Sequence, residues 1–289
     1  LMELLQKAGL SAYVGKVNMD RNSPEFLIED THQSLADTKE WLEASAQFGP
    51  LVKPIITPRF VPSCTSELMS GLGNLAEAYN VPVQSHLSEN HGEIEWVAAL
   101  HPEAANYTDV YYEHHLMGKV PTVMAHCIHL SDVEMDRMAE TQTMVSHCPY
   151  SNVNLSSGIA PIRKLFERKI PIGLGSDISG GHIVSMAKVL TEAIGLSKMK
   201  WVEVDQTYAP LTLSEAFYMA TKGGGKFFGK VGSFEKGCEL DALVIDDTTL
   251  FDPNERSLEE RLERWLYVGD DRHIVERYVA GKVAPEPTN

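Results

Sequence analysis

Positive charge is what this sequence has least of relative to its opposite. Forty Asp and Glu stand against 25 Lys and Arg, a formal net charge of −15. A surface of that sign repels phosphate backbones, which argues against nucleic-acid partners. Long apolar runs are missing too: no stretch approaches the roughly 18 uninterrupted apolar residues a membrane helix needs. Cysteine is scarce. The four present, Cys64, Cys127, Cys148 and Cys238, are widely spaced and contain no C-x-x-C pair, which points to a reduced, cytoplasmic protein. No basic segment followed by an apolar one opens the chain, so no secretory signal is visible. A dinucleotide fold would place G-x-G-x-x-G directly after its first strand. Instead Gly71-Leu72-Gly73 lies inside a helical pattern, and Gly223-Gly224-Gly225 reads as a stop after a helix. There is no repeat at a fixed period and no low-complexity segment.

What is present is an ordinary globular mixture, 289 residues with 43% hydrophobic and 22% charged. Short apolar runs alternate with stretches of helical period. The runs are 12–19, 52–57, 81–85, 122–125, 143–146 and 170–174; the helical candidates are 31–48, 66–79, 92–100, 131–141, 161–169 and 185–196. Strands separated by helices of this length form βαβ units with a parallel sheet. The runs are nearly all apolar, as when both faces of a sheet are covered. Six units fit an open sheet or a TIM-type (β/α)8 barrel with about six of its eight strands, and residues 1–228 are assigned to this α/β body. From residue 229 the texture changes to turns and short strands, with Ala242 to Ile245 a strand, Ile274 to Ala280 a hairpin edge and Leu258 to Val268 ambiguous. Residues 229–289 therefore read as part of a small β domain.

The strand ends carry the chemistry. Successive runs end at Arg59-Phe60, at His86 with Glu89 just beyond, at His126, at His147 and at Asp177. In a parallel barrel the catalytic groups stand at the C-terminal ends of several strands, and imidazole plus carboxylate is a standard zinc donor set. Taken singly, each has an ordinary alternative: a hydrogen-bonded histidine, a turn-forming Asp after Gly175-Ser176, a solvated Glu89, a surface ion pair at Arg59. Cys127 and Cys148, each next to a strand-end histidine, read as small buried side chains.

Ser85-His86-Leu87-Ser88-Glu89-Asn90, Met124-Ala125-His126, His147-Cys148-Pro149 with Ser151-Asn152, and Gly175-Ser176-Asp177 resemble the metal-site motifs of the amidohydrolase superfamily. Thr57-Pro58-Arg59-Phe60, the stretch from Gly175 to His182 and Tyr267-Val268-Gly269-Asp270-Asp271-Arg272 narrow the resemblance to its guanine deaminase family. The resemblance implies a zinc-dependent hydrolase that converts guanine and water to xanthine and ammonia, as a cytoplasmic homodimer with a small β-sandwich beside the barrel. It implies that His86 and Asp177 bind zinc and line the guanine pocket, that Asp177 takes a proton from the bound water, and that Glu89 shuttles protons to the ring and the leaving ammonia. It further implies that His126 contacts the water and the developing charge, and that Arg59 and Phe60 grip the base. His147 and Asn152 fall in a shared motif without an assigned role, and His182 reads equally well as a loop residue.

The family's first strand ends in His-x-His, which supplies two further zinc ligands, and no His-x-His occurs in this sequence. The chain also begins at Leu1-Met2-Glu3-Leu4-Leu5 as though inside an amphipathic helix. The expectation is a piece lacking the first two barrel strands and the N-terminal third. Such a piece would bind zinc weakly, have little activity alone and expose residues 12–19 as an associating edge. Two other readings remain: a superfamily enzyme acting on an adenosine derivative, cytosine or a triazine, and a scaffold that has lost the chemistry. The unrelated deaminase fold built on P-C-x-x-C is excluded, because the chain has no C-x-x-C.

Overall fold

The computed structural model describes residues 1–285, in two compact units: 1–145 with 167–171, and 146–166 with 172–289 as far as residue 285.

In the first unit, α1 (Met2–Lys7) precedes β1 (Ala12–Val14) and β2 (Val17–Asn18), followed by α2 (Thr31–Ser45), β3 (Val52–Pro54), β4 (Thr57–Pro58) and α3 (Ser66–Tyr79). Then come β5 (Val83–Leu87), α4 (His91–Leu100), α5 (Tyr107–Glu113), β6 (Thr122–His126) and α6 (Asp132–Thr141), and the unit ends inside β7 (Met144–His147). The expected runs 12–19 and 52–57 are each split into two short strands that pair in step, Ala12 with Val52 and Val17 with Thr57, both parallel. Ile56 bridges in parallel to Val83, and β5 pairs in parallel with β6, Val83 opposite Thr122 and Leu87 opposite His126. Along β5 and β6 fully buried residues alternate with partly buried ones, so the strands are not uniformly covered. Gln84 and His86 stand on the less covered face of β5, which is how His86 remains accessible at a strand end. The amphipathic α1 seats Met2 against Val14 and Val52, with Leu5 and Trp41 packed around them.

The helices start where the side chains can cap them. Asp30 and Thr65 accept from the backbone amides of Gln33 and Leu68, and reciprocal capping boxes join Asn90 with Glu93 and Ser131 with Glu134. Each satisfies amide donors that the first helical turn leaves without a partner. Asn80, at φ 49°, closes α3 in the left-handed conformation, its amide on the carbonyls of Ala76 and Glu77.

In the second unit, the end of β7 leads into α7 (Pro149–Asn154), α8 (Ile162–Glu167), β8 (Ile172–Leu174), α9 (Met186–Glu203) and α10 (Leu213–Tyr218). The unit continues with β9 (Ala242–Ile245), α11 (Leu258–Val268), β10 (Ile274–Val279) and β11 (Lys282–Val283). The last three strands form an antiparallel sheet in the order β11-β10-β9. The ambiguous 258–268 segment is a helix, opened by a Ser257–Glu260 capping box. Its C-terminal end receives the Lys188 ammonium on the Tyr267 carbonyl at 2.9 Å. Asp270 of the tyrosine-to-arginine motif accepts from the Arg272 backbone and guanidinium, so that motif builds the turn after α11.

Gly223-Gly224-Gly225 departs from expectation. α10 runs on into a π-helical turn over Met219–Gly223, and Gly224 keeps right-handed helical angles, so the triplet lies within the helical course instead of after it. A Cβ on Gly223 would lie 2.6 Å from the Ile172 carbonyl, and one on Gly173 would lie 2.9 Å from the Gly224 Cα. The glycines are there because the backbone passes directly against β8. Among the described residues, no helix is long and apolar enough to cross a membrane.

Candidate active site

Five of the expected residues meet in the first unit. Arg59 directly follows β4, and its amide is held by the Asn18 carbonyl at 3.1 Å. The Arg59 guanidinium lies over the Phe60 ring, 5.3 Å from its centroid, and Phe60 meets Trp96 edge-on at 6.3 Å. The charge is thus held against an aromatic wall, an arrangement suited to a planar heterocycle with hydrogen-bond acceptors at its edge. His86 Nδ1 lies 2.6 Å from the Arg59 carbonyl oxygen. A carbonyl can only accept, so Nδ1 carries a proton, and in the neutral ring the lone pair is then on Nε2, the tautomer that a metal-ligating imidazole requires.

His126, from the end of β6, stacks on His86 with centroids 5.4 Å apart and planes 23° from parallel. Glu89 comes from the loop after β5. Its Oε2 is 3.7 Å from His126 Nε2, with the histidine 1% exposed and the carboxylate 18%. A carboxylate so placed is shielded from bulk water yet reachable from one side, which suits a proton carrier.

The backbone is contorted at the same place. Ser88, His126 and Cys127 have φ of 49°, 70° and 52°, a region uncommon for residues with a side chain. The Ser88 carbonyl receives the amides of Ile128 and His129, and the Leu87 carbonyl receives that of Cys127. These bonds tie the loops after β5 and β6 together and aim Glu89 and His126 at one another. Cys127 and Cys148 are buried, as their places beside strand-end histidines predict.

The second unit holds the rest. Asp177 follows β8 at φ 44°, in a tight loop where the Gly181 amide donates to the Asp177 carbonyl and the Ser179 amide to the Gly181 carbonyl. A Cβ on Gly180 would lie 2.6 Å from Asp177 Oδ2 and 2.7 Å from Ser151 Oγ, so only glycine leaves the carboxylate where it stands. Asn154 clasps the loop by donating to the Gly180 carbonyl at 2.7 Å. His147 and Asn152 are buried, and their carbonyls receive the amides of Gly175 and Ser157. His182 is exposed and meets Tyr150 edge-on.

Sequence reading passed over a group of buried polar residues behind the first-unit site: Ser85, Glu93, Tyr107 and Tyr111. One signal was available, since Asn90-x-x-Glu93 has the spacing of a capping box. The tyrosines carried none beyond lying four apart on one helix face.

As for a metal, the His86 tautomer suits a zinc donor in the first unit, and the Asp177 carboxylate of the second unit has the chemistry of one. Among the described residues, no three His, Cys, Asp or Glu are grouped so as to hold an ion. Each residue fits as a donor by its own chemistry, and no step below passes through a metal.

The amidohydrolase family model matches residues 1–284. The chain belongs to the amidohydrolase family. The parallel strands and intervening helices are those of this family's TIM-barrel-type fold. Among amidohydrolases the chain is similar to guanine deaminase of Dictyostelium discoideum, at 44% identity over 97% of this chain and 64% of that protein. It spans about two thirds of the length of such curated relatives. It is also similar to the crystal structure of guanine deaminase from C. acetobutylicum with guanine bound in its active site. There the identity is 52% and the TM-score 0.95, over 98% of this chain and 68% of that one. A zinc-bound adenosine deaminase from Xanthomonas campestris, 22% identical with a TM-score of 0.82 over 98% of this chain and 62% of that one, shares the fold.

Proposed function

We propose that the chain carries the guanine-binding and proton-transfer residues of a zinc-dependent guanine deaminase, which hydrolyses guanine to xanthine and ammonia. The observation that carries this reading is the placing of Glu89 against His126, which stacks on His86, together with Arg59, whose guanidinium is backed by Phe60 and whose carbonyl holds His86. The similarity to a guanine deaminase with guanine in its site supports the choice of substrate.

Guanine is planar and bears acceptors along its edge, so the Arg59 fork can bond it while Phe60 covers a face. Addition of water at C2 breaks the ring's aromaticity and moves an electron pair onto N3, where Glu89 delivers a proton. Asp177 takes the first proton of the attacking water, which Glu89 carries to N3, and Glu89 then passes the second proton, that of the added hydroxyl, to the exocyclic amine. The carbon–nitrogen bond breaks, ammonia leaves and the C2 carbonyl of xanthine forms. His126 holds the Glu89 carboxylate and faces the charge growing on the attacking oxygen. His86 and Asp177 are the proposed zinc donors, and zinc, when bound, lowers the pKa of its water to about 7.

With two donors and no His-x-His in the sequence, zinc binding is expected to be weak and turnover by this chain slow. The homodimer, the cytoplasmic placing, the boundary near residue 229 and a β-sandwich around the β11-β10-β9 sheet belong to the same reading and rest on the resemblance.

The test offers the purified chain, with zinc supplied, a panel of guanine, adenine, adenosine, cytosine and an aminotriazine, measuring binding and ammonia release. Guanine is expected to bind most tightly, with His86→Ala lowering the zinc content. Preference for another heterocycle would move the reading to a different aminohydrolase, and no binding by any of them would favour a scaffold.

A further inference from the structure

We infer that Tyr111 and Tyr107 are positioning residues, Tyr111 setting the Arg59–His86 pair through Ser85 and Tyr107 setting Glu89 through Glu93. As far as it concerns guanine, this rests on the function proposed above.

Both phenols are buried, and their rings are parallel-stacked with centroids 5.7 Å apart. The Tyr111 hydroxyl donates to the His86 carbonyl at 2.8 Å and lies 2.8 Å from Ser85 Oγ. Ser85 in turn reaches the carbonyls of Pro58 at 2.8 Å and Arg59 at 3.2 Å. These bonds join the end of β4 to β5 at one level. The Arg59 carbonyl at this junction is also the acceptor that fixes the His86 ring. Tyr111 thus acts on the place of Arg59 and on the tautomer of His86 without touching either side chain.

Tyr107 works on the neighbouring loop. Its hydroxyl donates to Glu93 Oε1 at 2.7 Å, while Glu93 Oε2 accepts the amides of Glu89 at 2.8 Å and Asn90 at 3.3 Å. A capping box requires only the Asn90 amide. The additional bond to Glu89 holds the residue that must carry the proton. Burial pushes both phenols well above the ordinary tyrosine value, so each remains a neutral donor. α5 thereby presents two hydroxyls one helical turn apart, one to each half of the site. Serving a chain fold alone would not require the two to terminate on different functional groups.

Tyr111→Phe and Tyr107→Phe each remove one oxygen and keep the stacked ring. Three quantities are read on the full chain below its melting range: the ring nitrogen resonances of His86, the amide proton resonance of Glu89, and the dissociation constant for guanine. Tyr111→Phe is expected to move His86 away from a single Nδ1–H tautomer and to weaken guanine binding about tenfold, the scale of one lost buried hydrogen bond. It should leave the Glu89 amide in place. Tyr107→Phe should shift the Glu89 amide while guanine affinity stays within about twofold. Parallel changes in all three quantities in both variants would mean a general structural role and would overturn the inference, as would an unchanged His86 in Tyr111→Phe. Should guanine bind to no form of the chain while the two resonances respond separately, the positioning stands and the guanine reading falls.

Discussion

Glu89 can be separated from its neighbours by chemistry because a glutamine keeps its size and its reach toward His126 but cannot ferry a proton. Glu89→Gln is expected to lower guanine turnover by about 10²–10⁴, the usual worth of a general acid–base group, with guanine affinity nearly unchanged. Ammonia release under saturating guanine, set beside a binding isotherm, checks both halves. Asp177 offers a different test through its loop. Gly180→Ala places a methyl within contact of the carboxylate and of Ser151, so the carboxylate must turn away, and zinc content should fall without loss of the folded state. Equilibrium dialysis with zinc, alongside circular dichroism, reads that outcome. Thiol chemistry completes the residue-level picture. Burial pushes the Cys64 thiol up to about 11, and Cys127 and Cys148 are equally enclosed, whereas Cys238 is partly exposed. A thiolate is the reacting form. One thiol per folded chain should therefore react quickly with a disulfide reagent, and Cys238→Ser should abolish that phase.

The helices explain why so much of the architecture was legible and some of it was not. Several helices advertise their start: Thr65, Asn90 and Ser131 stand directly before helical periods, two with a glutamate three residues on that closes the box, whereas α9 has no side-chain cap at Ser185 and the box at Ser257 did not resolve the ambiguity of 258–268. The strand-end residues Arg59, His86, His126 and Asp177 were legible for a related reason, since short apolar runs have abrupt ends. Hidden from the sequence were features made by approach across space. The passage of Gly223 and Gly224 against β8 is one, and the fixing of the His86 tautomer by the Arg59 carbonyl, 27 residues away, is another. The short α5 and α7 escaped as well, being too brief for a period to declare itself. α8 and α10 are joined by an ion pair. The Arg163 guanidinium makes a two-point contact with Glu215 and also donates to the Ala209 and Pro210 carbonyls. That fork lowers the Glu215 carboxyl from 4.5 to about 2. A group depressed by folding stabilises fully above its unfolded value and loses that contribution as pH falls toward the folded one. The pair should therefore act above about pH 4.5 and fade toward pH 2. With the carboxylate a third exposed, screening leaves about 1 kcal/mol. Glu215→Gln keeps the capping box with Thr212, so only the charge is lost. Denaturant titrations should show variant and wild type differing at pH 7 and converging as the pH approaches 2.

For the molecule as a whole, the net charge sets an expectation about which ligands bind. A net −15 makes a field that repels anions over about a Debye length, roughly 8 Å at physiological ionic strength. Guanine is uncharged at neutral pH, so its encounter with the chain gains and loses little from that field. A guanine nucleotide offers the same base to Arg59 and Phe60 but brings phosphate charge with it. Guanine affinity is accordingly expected to change less than about twofold when salt is raised from about 20 to about 200 mM. Guanosine monophosphate should bind poorly at the lower concentration and improve as salt shortens the reach of the repulsion. The two dependences are measured in one calorimetric series at pH 7. If the nucleotide bound better at low salt, a cationic phosphate subsite would have to overcome the acidic surface, and the substrate would then be the nucleotide instead of the free base. If both ligands were indifferent to salt, the acidic residues would lie too far from the site to matter, and selection against nucleotides would fall to the shape of the pocket alone.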